Sequence, residues 1–389
     1  MGRMRTLIIG VATDSFKGTL SAERAAGCMA RGLRRALPGV QVREIPMADG
    51  GEGTVDAIVA ATGGRRVLRR VRDPLGRPVR AWFGMSGDGG TAIIEMAAAS
   101  GLMLLTPRER NPLNTTTAGT GDLIKAALAL GARHLVLGIG GSATNDGGMG
   151  MARALGVRFL DAAGKELAEG GGALGGLARI DVTGLDARLR GVRIDVACDV
   201  KNPLCGARGA SRVYGSQKGA TPAMVKRLDA NLRRLARVVK RDLGVEILNV
   251  MGAGAAGGLG GGMLAFLGGR LRRGVEIVIE RVALVERLRG CDLVITGEGR
   301  MDGQTAYGKT PAGVAKVAKG LGLPVIAICG SMGKGIEAVR KVGIDAVYAT
   351  VAGELPEEEL RRGAARRLTA TAEAVGRDLG NLRLMIADC

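Results

Sequence analysis

Residues 296–310 read TGEGRMDGQTAYGKT, and the last eight letters satisfy the Walker A pattern G-x-x-x-x-G-K-[ST]. A true Walker loop leaves its strand directly and enters a helix, so that backbone N–H groups and the helix N-terminus surround phosphates. Here the apolar strand DLVIT is separated from Gln304 by GEGRMDG, and only roughly 80 residues follow Thr310, with no apolar run ending in a Walker B aspartate. A P-loop NTPase is therefore a remote alternative. The stretch is expected to form a loop in which Thr310 caps the helix PAGVAKVAK and Pro311 sits in its first turn. That expectation leaves unexplained why Glu298, Arg300, Asp302 and Lys309 crowd onto one loop.

Working outward, TLIIGVA predicts a strand, SAERAAGCMARGLRRAL a helix capped by Ser21, and VQVREIPM a second strand, the start of an α/β fold with a parallel sheet. After Gly63-Gly64 the pattern changes to short alternating strands broken by Pro and Gly turns, which predicts antiparallel hairpins. Between 115 and 285 helix and strand signals alternate again. From 285 onward CDLVIT, PVIAIC and DAVYATV read as strands, followed by the helix PEEELRRGAARRLTATAEAV. The simplest assembly is two α/β domains: a discontinuous one, 1–64 with 285–389, and an inserted one, 65–284, with a ligand cleft expected between them.

Composition narrows the function classes. The formal charge of +19 raises nucleic acid as a partner, but the basic residues come as scattered doublets such as Arg34-Arg35 and Arg233-Arg234 on helical stretches, so solvated helix faces are the expectation. Aromatics at 2% leave few platforms for stacking bases. Six cysteines without C-x-x-C spacing and a single histidine exclude a zinc site, and mostly apolar surroundings predict reduced core cysteines, as in a cytoplasmic protein. Gly2 and Thr6 fit a myristoylation pattern, but Thr6 opens the first strand. The uncharged run 250–269 is long enough to span a bilayer but carries nine glycines, so no membrane segment is expected.

Two further glycine loops imitate nucleotide sites. GIGGSA at 138–143 follows the strand HLVLGI, and Asp161 lies at about the distance at which a ribose-binding acid would sit; yet FLDAAGKEL reads as a turn, so an NAD-dependent oxidoreductase is a remote alternative. Gly140, Gly141, Ser142, Thr144, Asn145 and Asp146 instead suit an anion cradle for ATP phosphates, in which hydroxyls and amides add to exposed N–H groups. The third loop is GAGAAG at 252–257.

Taken together, DSFKGTLSA, ADGGEGT, TTTAGTGDLI, GIGGSATNDGG, CDVKNPLCGARGAS, GAGAAGGLGGG and TGEGRMDGQTAYGKTP, in this order from Asp14 to about Ser331, resemble the bacterial glycerate kinase family. The resemblance implies two α/β domains, one of them flavodoxin-like. It also implies an enzyme that uses ATP and Mg²⁺ to phosphorylate D-glycerate, in most characterised relatives at the 2-hydroxyl; the 3-hydroxyl stays open.

The residues offer a candidate for each part of such a reaction. Lys17 suits a phosphate or the glycerate carboxylate. Asp14, with Ser15 beside it, and Asp49 end parallel strands and suit substrate hydroxyls, Asp49 with Glu298 also suiting Mg²⁺. Asp199 is the expected hydroxyl base, with Asp302 and Asp49 almost as suitable; Lys201 and Asn202 beside it suit a phosphate and the substrate. Arg300 could clamp the carboxylate with its planar fork, and Lys309 could reach ATP. Glu95, an acid inside an apolar strand, reads equally as buried and paired or as facing the expected cleft. The expected partner is the small molecule D-glycerate, with no nucleic acid and no membrane. Oligomeric state, the adenine-binding loop and regulation are left open.

Overall fold

The computed structural model describes residues 6–351, 353 and 357–387; Gly2 and Cys389 lie outside them. The described chain separates into two compact units. The first takes the residues up to Asp49, Asp56–Ala61, and those from Val278 onward; the second takes Gly50–Val55 and Thr62–Ile277.

The first unit is built on five parallel strands in the spatial order Ala346–Ala349, Val325–Cys329, Leu293–Gly297, Ile8–Thr13, Gln41–Pro46. In chain rank that is 5-4-3-1-2, the flavodoxin-like order. Alternation along the strands decides the layers: Ile9, Val11, Leu293 and Ile295 form one buried face with Met29, Leu33, Leu368, Ala372 and Val375 of the helices Ala22–Ala36 and Glu357–Ala387. Gly32 has a reason to be glycine there. A Cβ on it would stand 2.3 Å from the Thr369 carbonyl, so the two helix backbones approach as closely as glycine allows. Truncating Leu33, which is fully buried, would cost about 2–5 kcal/mol. Ser21 caps the first helix, its hydroxyl accepting the Arg24 N–H, as the sequence indicates.

The second unit has a six-stranded mixed sheet in the order Arg270–Arg272, Arg193–Ala197, His134–Gly138, Thr91–Glu95, Pro78–Met85, Arg65–Arg72. The first four run parallel and the last two close as the expected antiparallel hairpins. The run 250–269 is turn and helix, Ala255–Leu267, and no helix among the described residues is long and apolar enough to cross a membrane. Cys28, Cys205, Cys291 and Cys329 are buried and Cys198 half-buried, all outside disulfides. The single histidine serves the sheet: His134 Nε2 lies 2.9 Å from the buried Asp195 carboxylate, which Arg193 and Arg272 also contact at 2.8 and 3.3 Å.

Candidate active site

Each sheet gathers polar side chains at the carboxyl ends of its parallel strands. In the first unit the strand order reverses between Ile8–Thr13 and Leu293–Gly297, the switch point outside which open α/β sheets bind ligands. Register pairs Thr13 with Gly297, so Asp14 and Glu298 leave neighbouring strands side by side.

Asp14 is 9% exposed. Its Oδ1 accepts the Ser15 N–H at 2.6 Å and its Oδ2 the Thr310 hydroxyl at 2.5 Å. Burial, then the nearby Asp49 charge, push its carboxyl up to about 7, although the Thr310 and Ser15 hydrogen bonds pull the other way. Glu298 accepts the Thr305 hydroxyl at 2.7 Å and faces Lys309 Nζ at 3.7 Å. Burial raises its carboxyl above the usual range against those two partners.

The opening motif thus becomes concrete. Thr310 does not cap its helix, Thr310–Gly320: Lys309 occupies the cap position without a side-chain cap bond, and the Thr310 hydroxyl is turned to Asp14. A short strand, Arg300–Met301, and a five-residue 3₁₀ helix, Gly303–Tyr307, intervene after the sheet strand, so the loop is no Walker A cradle. Asp302 is spent on capping that turn, accepting the Gln304 N–H at 2.8 Å while its own N–H reaches Thr305. Lys17 and Arg300 are exposed, Ser15 and Asp49 half-buried.

In the second unit Glu95, Gly138 and Ala197 lie in register at one sheet edge. Glu95 is half-buried and accepts the Val55 N–H at 3.1 Å at the start of the Thr54–Thr62 helix. Asp199 follows two residues beyond Ala197, exposed, and accepts the Gly274 N–H at 3.2 Å. Lys201 is exposed. Asn202 spends its amide on the protein, accepting from the Tyr214 hydroxyl and donating to the Arg208 carbonyl, both at 2.8 Å.

Beyond Gly138 runs the loop GIGGSATNDGG. Gly140 and Gly141 are exposed at its tip, while Ser142, Thr144, Asn145 and Asp146 are buried. Asp146 shapes the loop: it accepts from the Thr117 N–H and hydroxyl at 2.8 Å each and from the Gly148 and Gly150 N–H at 3.1 Å. Burial raises its carboxyl nonetheless. Asp161 is a turn acid, accepting from Ala163 and Lys165, which removes the ribose-binding reading.

These motifs agree with the comparisons. The family model described as the glycerate kinase family matches residues 9–380. The chain belongs to the glycerate kinase family. It is 54% identical over 365 residues to a glycerate kinase of Bacillus subtilis, covering 94% of this chain and 96% of that one. It is 51% identical to the glycerate 2-kinase of Escherichia coli over 92% and 93% of the two chains. A crystal structure from Salmonella typhimurium LT2, described as a glycerate kinase 2, superposes with a TM-score of 0.91 at 48% identity, covering 98% of this chain and all of that one.

Within this family fold, three side chains escaped the sequence reading. Thr310 was legible only as a cap. Thr117 stands in the quoted TTTAGTGD motif, but its tie to Asp146 spans 29 positions. Lys218 carries no motif in the sequence, yet it is 2% exposed, and burial pulls its ammonium down to about 7 against the attraction of Asp146.

Proposed function

We propose that the protein is a glycerate kinase that transfers the γ-phosphoryl group of ATP to the 2-hydroxyl of D-glycerate. The observation that carries this reading is the set of carboxylates at the flavodoxin-type switch point, Asp14 beside Glu298, in a chain that aligns over nine-tenths of its length with a relative named glycerate 2-kinase. In the transfer the bond from phosphorus to the β,γ-bridging oxygen breaks and a bond to the glycerate 2-oxygen forms. ADP leaves, and the hydroxyl proton passes to a carboxylate.

Asp199 is the proton acceptor in this reading, with Lys201 and Lys17 offering charge to phosphate oxygens. Gly140, Gly141, Ser142, Thr144 and Asn145 receive the ATP phosphates on a loop that Asp146 holds in shape. Ser15, Arg300 and Asn202 hold glycerate, Asn202 through the backbone it anchors, and Asp302 holds the turn that presents Lys309. A second reading of the proton path is favoured by the Asp14 carboxyl, poised near 7 and hydrogen-bonded to Thr310, because a general base works best with a pKa near the operating pH.

Asp49 and Glu298 are proposed to hold Mg²⁺. No group of three acidic, histidine or cysteine side chains among the described residues forms a metal cage, and Mg²⁺ asks for none: one or two carboxylates plus phosphate oxygens and water suffice. The donor set fits, since Asp49 lies close enough to raise both Asp14 and Glu298 electrostatically. When bound, the cation supplies charge neutralisation on the phosphates. The expected cellular setting is the cytoplasm.

The test is a coupled assay of pure protein with D-glycerate, ATP and Mg²⁺. ADP release dependent on D-glycerate is expected, and its absence would sink the reading. Phosphorus NMR of the product should show 2-phosphoglycerate; 3-phosphoglycerate would overturn the regiochemistry alone.

A further inference from the structure

Lys218 is buried, and among the described residues no carboxylate forms a direct ion pair with it. Its Nζ donates to the Thr144 carbonyl at 2.6 Å and to the Ser142 hydroxyl oxygen at 3.2 Å, and Asp146 acts on it only through space. A lysine so placed is costly unless something charged completes its surroundings. The neighbouring Asn145 repeats the signal: it is fully buried, its carbonyl oxygen accepts from Ser211, and its Nδ2 has no hydrogen-bond partner.

The geometry around Ser142 shows what the lysine does. Ser142 Oγ accepts from Lys218 Nζ and also from the Thr144 N–H at 3.1 Å, so both of its lone pairs are engaged. Its proton is therefore free only to donate. Within the protein that proton has three weak, shared acceptors in reach, Thr144 Oγ1 at 3.1 Å, the Ala256 carbonyl at 3.3 Å and the Thr144 carbonyl at 3.4 Å, which a charged acceptor would outcompete. Next to Ser142 the chain runs out to the exposed Gly140 and Gly141, and a Cβ at Gly140 would meet nothing within 4 Å.

We propose that Lys218 is a positioning residue of the phosphate-binding loop, fixing the Ser142 hydroxyl as a hydrogen-bond donor to an anion seated at Gly140 and Gly141. This rests on the reading of that loop as the ATP phosphate site. The anion adds negative charge near a buried ammonium that Asp146 reaches only through space, so binding strengthens the contact that orients Ser142. Methionine at 218 keeps the length and loses the charge and the donors; alanine at 142 removes the hydroxyl itself.

The experiment measures ATP affinity by calorimetry without glycerate, and the KM for glycerate, in wild type, K218M, S142A, the double variant and K218R. Expected are a roughly tenfold to hundredfold weaker ATP affinity in K218M and in S142A, a double variant no weaker than S142A, an unchanged glycerate KM, and partial recovery in K218R. S142A weakening ATP while K218M does not, or fully additive losses, would overturn the role of Lys218 and leave the loop reading intact. Unchanged ATP affinity in both single variants would overturn the loop reading and the proposal with it. Should K218M fail to fold, lysine-selective NMR of the wild type decides instead: one buried lysine Cε resonance should shift on adding ATP in wild type but not in S142A, and a resonance indifferent to ATP would refute the coupling.

Discussion

The Thr310 hydroxyl donates a hydrogen bond to Asp14 at 2.5 Å across 296 positions of sequence, tying the last residue of a Walker look-alike to the end of the first strand. The bond stabilises the ionised carboxylate, opposing burial and the Asp49 charge. Thr310→Val removes it and should push the Asp14 carboxyl further up. A hydrogen bond to a charged group is worth about 1.5–3 kcal/mol, which corresponds to roughly one to two pH units. If Asp14 takes the substrate proton, the rising limb of kcat/KM against pH moves to higher pH by that amount in T310V. A limb that stays in place removes Asp14 from the proton path.

The same carboxyl makes stability depend on pH. Its pKa is raised from 3.8 to about 7 in the folded chain, so folding favours the protonated form. That contribution is complete below about 3.8 and is lost as pH rises through about 7. Asp14→Asn removes the titration. Between pH 4 and pH 8 the stability of D14N relative to wild type should therefore rise, by at most on the order of 4 kcal/mol. Urea unfolding of both proteins at the two pH values measures it, and a constant difference would show that Asp14 titrates normally.

Asp199→Asn and Lys17→Ala address the chemistry directly. Each should cut turnover by at least roughly 10²-fold while circular dichroism and Tm stay near wild type, because a general base and a charge on the transferred group act in the transition state. Both side chains are exposed, so their loss leaves no buried hole. Near-normal turnover in either variant strikes that residue from the mechanism. If D199N is active and D14N is not, the proton goes to Asp14.

What could be read from the letters depended on range. The strands of the first unit announce themselves as apolar runs, and their flavodoxin-like order came with the family resemblance carried by the polar motifs. Asp14, Asp49 and Glu298 could be put forward as candidates from the letters because each stands just past such a run. Pairings across the chain were not: nothing local says that Thr310 turns away from its own helix toward Asp14, or that Asp146 is consumed by Thr117. Lys218 was hidden for a similar reason, since SQKG has the letters of a surface turn and only the fold buries it. Asn202 was chosen for its chemistry, and the structure shows its amide engaged with Tyr214 and Arg208.

The glycine loop at 252–262 gives the last prediction. Gly257 sits at φ +69°, and a Cβ there would stand 1.9 Å from the Thr144 carbonyl oxygen, the atom that receives Lys218 Nζ at 2.6 Å. Gly257→Ala therefore meets two separate obstacles, a left-handed backbone and a backbone clash that cannot relax without moving Thr144. Gly164→Ala supplies the control: φ is +78°, but nothing lies within 4 Å of the new carbon. G164A should lose only about 1 kcal/mol, the strain of the backbone alone. G257A should lose more than about 3 kcal/mol, and at a temperature where it remains folded its KM for ATP should rise with little change for glycerate. Equal losses in the two variants would show that the 252–262 loop gives way without disturbing Thr144, and that the contact has no part in shaping the phosphate loop.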